Sequence, residues 1–312
     1  MLSRRLLRIK AVKALYAHFK SEAENLRASE KNLALSIDKV YQLYHLLLDL
    51  PLEVRRYAED RIEIARNKKL PTAADLNPNM KFVENRAMQQ IDNDEALGAY
   101  LQRNALSWKA SPELIKHLYN KLVTTSFYKD YMAAGAHTYK AEVKLLEKFY
   151  TEVVADDEAV ETALEEQSIF WADDLDFALI MVLRTLDGFK EKQDAVPLLP
   201  KYKNDDDKLF GEELFRKALV NYNDYLAYIE KFTHNWDVER IAFMDNLIMV
   251  TAMAELLGFE SIPVKVTLDE YIELAKYYST PGSGLFINGI LDKIVEQLQS
   301  EGKLNKTGRG LL

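Results

Sequence analysis

Apolar residues recur at i, i+3, i+4 and i+7 along almost the whole chain, and no stretch alternates apolar with polar residues. The first pattern belongs to an amphipathic helix and the second to a strand, so the spacing predicts an all-α fold. Glycine is scarce, at 11 of 312 residues, which suits long helices better than a turn-rich β architecture. The periodicity predicts helices over about 3–21, 30–50, 52–67, 80–104, 111–133, 136–154, 156–168, 171–190, 207–233, 236–257, 267–278 and 283–300. A hydrophobic content of 48% is ample for a core in one large domain or two ordinary ones.

Two stretches punctuate this pattern. "NKKLPTAADLNPNM" (67–80) and "AVPLLPKYKNDDDK" (195–208) each hold two prolines among polar residues, which marks breaks between helices. They divide the chain into helical segments 1–66 and 206–300, a central helical segment 67–205, and a basic, flexible tail at 301–312. Helix starts are also readable. Thr267 and Glu270 have capping-box spacing, Ser111 precedes Pro112 as an N-cap before a first-turn proline, and Ser283 is placed to cap the last helix. The preceding "STPGSG" lacks both a strand before it and a Lys after its glycines, so it reads as a turn and not a phosphate-cradling loop.

Composition removes several classes of function. With no Cys there is no disulfide, thiolate metal site or Cys nucleophile, and the five His show no metal-ligand spacing; no metal or other cofactor is expected. The N-terminus lacks the apolar run of a signal peptide, and no window approaches a membrane span, which predicts a cytoplasmic protein with no membrane partner. The net charge of −8 disfavours a nucleic-acid partner at first sight. Ten of the acidic residues, however, lie in 151–183 without a Lys or Arg, and residues 1–13 carry five basic residues and no acid. A basic local site is therefore compatible with an acidic chain.

The two ends carry the most specific features. In the last helix Ile287, Ile290, Leu291, Ile294 and Leu298 form the buried stripe, which leaves Phe286 at its border and Gly289 on the far side. Phe286 either packs on a neighbouring helix, with Gly289 allowing a close backbone approach, or forms an aromatic platform beside a helix N-terminus, where a base stacks and a phosphate is favoured. In the first helix Arg4 and Arg8 continue the apolar face of Ala11, Val12, Leu15 and Phe19, while Arg5 is displaced to one side. Guanidinium groups do not stay in a core unpaired, so this turn either extends past the body or meets an anion or a carboxylate. Lys10 and Lys13 read as solvated, and Tyr16 sits at the stripe's edge.

These ends resemble the NusB family of bacterial transcription antitermination factors. The resemblance lies in "IPVKVTLDEYIELAKYYSTPGSGLFINGILDKI" (262–294), in the Arg-rich "RRLLRIKAVKALY" (4–16) and in "NWDVERIAFMDNLIMVTAMAELL" (235–257), and it covers roughly 1–65 and 206–297. It implies an all-α, NusB-like bundle whose halves are 1–66 and 206–300, interrupted by a helical, acidic insertion at 67–205. It also implies pairing with NusE, a small ribosomal subunit protein, and binding of single-stranded boxA RNA in rRNA leaders within an RNA polymerase antitermination complex, supporting rRNA transcription and maturation. Carried onto matching positions, Arg4, Arg5 and Arg8 would contact phosphates, with Tyr16, Tyr278 and Phe286 beside bases. Arg240 and Asp245 would face NusE, while Thr267, Glu270, Ser283, Asn288 and Gly289 would shape the motif. Leu6, Gly282 and Leu285 depart from residues common in relatives, two of them at usual cations.

Three neutralised phosphates predict a slope of about −2 in log K against log salt. The alternative is a protein-interaction scaffold that binds NusE or another partner without RNA. Catalysis is not expected: a NusB-like domain does precede an rRNA cytosine methyltransferase, but such an enzyme needs a Gly-rich cofactor loop and a Cys that this chain lacks. Adjacent carboxylates such as Asp156 and Asp157, or Asp173 and Asp174, read as solvated faces or helix N-terminal charges.

Overall fold

In a computed structural model, which describes residues 1–21, 25–136, 138–233 and 242–311, the chain is all-α, with no strand among the described residues. Helices α1 (Arg4–Lys20) and α2 (Leu26–Arg66) are followed by α3 (Ala73–Leu76), α4 (Arg86–Asp92), α5 (Glu95–Arg103), α6 (Pro112–Thr124), α7 (Ser126–Ala133) and α8 (Tyr139–Lys148). A π-helical segment, Phe149–Val154, extends α8. Then come α9 (Glu158–Gln167), α10 (Leu175–Asp187), α11 (Asp205–Val220), α12 (Tyr222–Glu230), α13 (Phe243–Gly258), α14 (Val264–Tyr278) and α15 (Ser283–Ser300). Two of the long predicted helices are split by a capping residue. Asp94 accepts from the Leu97 amide at 2.7 Å to start α5, and Thr125 accepts from the Tyr128 amide at 3.3 Å to start α7.

The opposite happens at Pro51, where two predicted helices are one 41-residue helix. A proline in a helix interior leaves the carbonyl four residues back without its amide donor. Here that carbonyl belongs to Leu47, and the buried Tyr150 hydroxyl donates to it at 2.7 Å from the π-helical segment. One residue earlier, the Leu46 carbonyl takes a hydrogen bond from Trp108 Nε1 at 2.9 Å. The helix passes its proline because a tertiary donor replaces the missing one. Tyr150→Phe keeps the ring and orphans the carbonyl, so it should cost about 1–3 kcal/mol of stability, read from the shift in the urea midpoint.

The chain forms two compact units: Leu2–Ile37 with Tyr202–Leu312, and Met1 with Asp38–Lys201. The division falls inside α2 and not in the proline-containing stretch at 67–80. The reason is visible along α2: Val40, Leu43, Tyr44, Leu46, Leu47 and Leu50 are buried, and this stretch bonds to central residues. The Tyr44 hydroxyl lies 2.7 Å from Thr185 Oγ1, and Trp171 Nε1 donates to the Lys39 carbonyl at 2.7 Å.

In the central unit, burial lifts the Asp49 carboxyl from 3.8 to about 6, reinforced by the nearby Glu53 carboxylate against the pull of Arg56. The folded state thus holds a proton that the unfolded chain releases at lower pH, and stability is lost as pH rises from about 4 through about 6. Asp49→Asn removes that loss. It should stabilise the chain by up to about 2–3 kcal/mol at pH 7.5 and by much less at pH 4, as denaturation at the two pH values would show.

In the terminal unit, α13 is buried on nearly every side from Leu247 to Leu256, which is why its sequence is apolar all round. Helix α1 packs on α11 and α13, and α14 on α13 and α15. The basic tail returns to the α13–α14 connection, where Lys306 Nζ donates to the Phe259 carbonyl at 3.0 Å and the Thr307 amide to the Glu260 carbonyl at 3.1 Å.

Candidate nucleic-acid interface

Side chains of α1 and α14 meet at matched positions. Arg5 meets Glu270, Ile9 and Leu274 line one small apolar pocket, and Lys13 Nζ lies 4.9 Å from the centre of the Tyr278 ring. Each step is one helical turn on both helices, and the pocket at Ile9 and Leu274 is completed by Met244 and Ile248 of α13. At the end of α14 the chain turns through Gly282, whose φ of +95° suits glycine, and enters α15.

The three N-terminal arginines have separate fates. Arg5 makes a two-pronged pair with Glu270, Nε to Oε2 at 2.8 Å and Nη2 to Oε1 at 3.0 Å, and that hydrogen bond raises its pKa. Arg4 faces α11, with Nε 2.7 Å from Asp207 Oδ1 and the guanidinium over the Phe210 ring. Arg8 is only 3% exposed and pairs with the fully buried Glu255 through Nε at 2.7 Å and Nη2 at 2.8 Å. Burial pulls the Arg8 pKa down, but the hydrogen bond and charge of Glu255 outweigh it and the guanidinium stays charged. The phosphate role expected of Arg8 is therefore corrected: a phosphate would have to strip Glu255 of its partner inside the core. Lys10, read as solvated, is also buried, at 4% exposure.

Two of the expected caps are likewise corrected. Helix α14 begins at Val264 behind Pro263, three residues ahead of Thr267, so Thr267 and Glu270 form no capping box. The Thr267 amide already donates to the Pro263 carbonyl at 3.2 Å, and the two side chains pair elsewhere: the buried Thr267 hydroxyl donates to Glu255 Oε1 at 2.9 Å and Glu270 is taken by Arg5. At α15 the N-cap is Gly282, and Ser283 is the first helical residue, its Oγ donating to Asp245 Oδ2 at 3.0 Å. Asp245, expected on the NusE surface, is only 4% exposed and also accepts from the Ser279 hydroxyl. It fastens the α14–α15 turn to the first turn of α13. Arg240 lies outside the described residues.

Phe286 is half-buried and, with Gly282, Leu285, Gly289, Ile290 and Lys293, lines a hollow of about 280 Å³. A Cβ placed on Gly289 would meet nothing within 4 Å, so this glycine admits no neighbouring backbone and instead leaves the hollow open. Asn288 is half-buried. Tyr278 lies under Lys13 on α1, and Tyr16, 39% exposed, stands 5.9 Å from the Phe243 ring at the start of α13. The structure pairs Arg5 with Glu270, sets Lys13 over Tyr278, and places Phe286 in a hollow of α15 itself, while Arg4 and Arg8 turn to α11 and α13. Sequence reasoning missed Lys293 and passed over Lys13. Lys293 stands seven residues after Phe286, two turns along the same face, and that spacing was the available signal.

Comparison with known proteins is specific. The chain matches the NusB family over residues 178–296, a span that takes in most of α10 as well as α11 to α15. The transcription antitermination protein NusB of Salinibacter ruber is 50% identical over 103 residues, covering 33% of this chain and 64% of that protein. That of Chloroherpeton thalassium is 37% identical over 137 residues, covering 43% and 65%, and that of Natranaerobius thermophilus 36% identical over 116 residues, covering 30% and 84%. The chain belongs to the NusB family. It spans just under two thirds of the length of the first two of these relatives, 64% and 65%. A solved structure of T. maritima NusB is 28% identical across 44% of this chain and 85% of its own, with a TM-score of 0.29, too low to argue the fold from.

Proposed function

We propose that the terminal unit binds single-stranded RNA of the boxA type along α1, α14 and α15, pairs with NusE, and serves an RNA polymerase antitermination complex in rRNA transcription and maturation in the cytoplasm. The central segment is then an addition to the NusB-like unit, and no catalytic step or cofactor enters. The observation that carries this reading is that one unit of a NusB-family chain holds the half-exposed Arg5, Lys13 against Tyr278, and a hollow lined by Phe286 and Lys293. Glu270 and Tyr278 are eight residues apart, about 12 Å along α14, so one nucleotide cannot reach both ends and a strand can. Its backbone would follow the cations while a base enters the hollow against Phe286, with Tyr278 and Tyr16 beside neighbouring bases. Arg4 and Arg8, tied to α11 and α13, and Asp245, tied to the turn, hold this face in shape, as do Thr267, Ser283 and Asn288.

Three cations, Arg5, Lys13 and Lys293, set an upper limit of about −2 for the salt slope. Lys293→Ala should weaken binding of any single-stranded RNA to a similar degree and reduce that slope by about 0.7. Unchanged affinity and slope would remove Lys293 from the interface. Calorimetric titration with NusE tests the partner.

One observation favours the second reading, a scaffold that binds NusE or another protein but no RNA: Arg4, Arg5 and Arg8 are each paired with a carboxylate of this chain. NusE binding without salt-dependent RNA binding would support it.

A further inference from the structure

We propose that Glu270 sets the affinity of this face for a polyanion by occupying Arg5, so that a strand must displace one anion before Arg5 can hold another. The proposal rests on the RNA-binding reading above. The Glu270 carboxylate grips Nε and Nη2 of Arg5 in the two-pronged geometry that a phosphate would use. The two partners are unequal. The Arg5 side chain is 48% exposed and that of Glu270 only 18%, with Arg8 Nη1 a further 3.6 Å from Glu270 Oε2. Glu270 is thus anchored between two guanidinium groups on a packed helix, and Arg5 is the partner able to swing away.

The neighbouring pairs show why this one is exchangeable. Arg8 and Glu255 are 3% and 0% exposed, and separating them would strand charges in the core. Arg4 pairs with Asp207 on the α11 side, away from the hollow. The Arg5–Glu270 pair is the half-exposed one, and pairs of that kind are weak enough for a phosphate to replace. Exchange also leaves a thermodynamic mark. A cation that trades its own carboxylate for a phosphate releases no counterion, so Arg5 contributes to binding without its full share of salt dependence.

Glu270→Gln keeps the size and one acceptor of the side chain and removes its charge. The test is fluorescence anisotropy of a labelled single-stranded boxA-like RNA with the full chain at 50 and 200 mM salt, using the parent, Glu270→Gln, Arg5→Ala and the double variant, each checked by thermal melting. We expect Glu270→Gln to bind about three- to tenfold tighter at 50 mM salt, with a slope steeper by about 0.7. The gain should vanish in the double variant, which shows that it passes through Arg5. An unchanged or weaker affinity with intact melting would overturn the proposal, and so would a gain that survives in the Arg5→Ala background, because that is only a general loss of negative charge. Should Glu270→Gln fail to fold, Glu270→Asp, which keeps the charge but shortens the reach to Arg5, should show a smaller gain in the same direction, and no gain would overturn the proposal. Absence of RNA binding by all the proteins overturns the RNA reading and this proposal with it. RNA binding by the parent that ignores Glu270 overturns this proposal alone.

Discussion

Glu255→Ala lowers stability by about 3–5 kcal/mol. Glu255 is fully buried where α1, α13 and α14 meet, and it accepts two hydrogen bonds from Arg8, one from the Thr267 hydroxyl at 2.9 Å and one from the Tyr271 hydroxyl at 3.2 Å. Removing it leaves a guanidinium and two hydroxyls in the core without an acceptor, and that stranded charge is the main cost. Replacing Arg8 and Glu255 together by Met and Leu removes both charges and should recover most of the loss. Urea denaturation of the parent, the single and the double variant checks this. If Glu255→Ala costs less than about 1 kcal/mol, the network is not the joint that fixes α1 against α14, and the register of the proposed interface loses its support.

Phe286→Ala lowers affinity for single-stranded RNA by about 1–3 kcal/mol, roughly 5- to 150-fold, while the fold stays intact. The ring is half-buried at the border of the α15 stripe and lines the open hollow, so its loss removes a stacking surface more than core volume. Gly289→Ala is the companion variant. Its new methyl meets nothing in the free protein, so the helix gains about 0.5–1 kcal/mol from the better helix former. The same methyl projects into the hollow and should weaken RNA binding. A Phe286→Ala protein with full RNA affinity would return the ring to a packing role.

The helical class was legible because the 3.6-residue period repeats through the chain and needs no long-range information. The border position of Phe286 was legible for the same reason, since the stripe on α15 fixes where its neighbours point. Arg8 was not. Its partner Glu255 lies 247 residues away, and nothing local distinguishes an arginine that meets a phosphate from one that meets a buried carboxylate. The first turn of α14 failed differently. Thr267 and Glu270 have the right local spacing, but the helix starts three residues earlier at Val264, which leaves them no orphan amides to cap, and their side chains pair with Glu255 and Arg5. Pro51 failed because its rescue comes from the Tyr150 hydroxyl, 103 residues from Leu47. Lys293 was within reach of sequence, because it stands two turns beyond Phe286 on the same helix face.

The central claim is that this chain binds a single-stranded polyanion together with a protein partner. Its most direct test is the anisotropy of a labelled boxA-like RNA titrated with the full chain, alone and with NusE, at 50 and 200 mM salt. Binding should tighten with NusE and weaken with salt, with a slope no steeper than about −2 for three cations. RNA that remains free in both titrations, while NusE binds, would contradict it and leave a partner-binding scaffold.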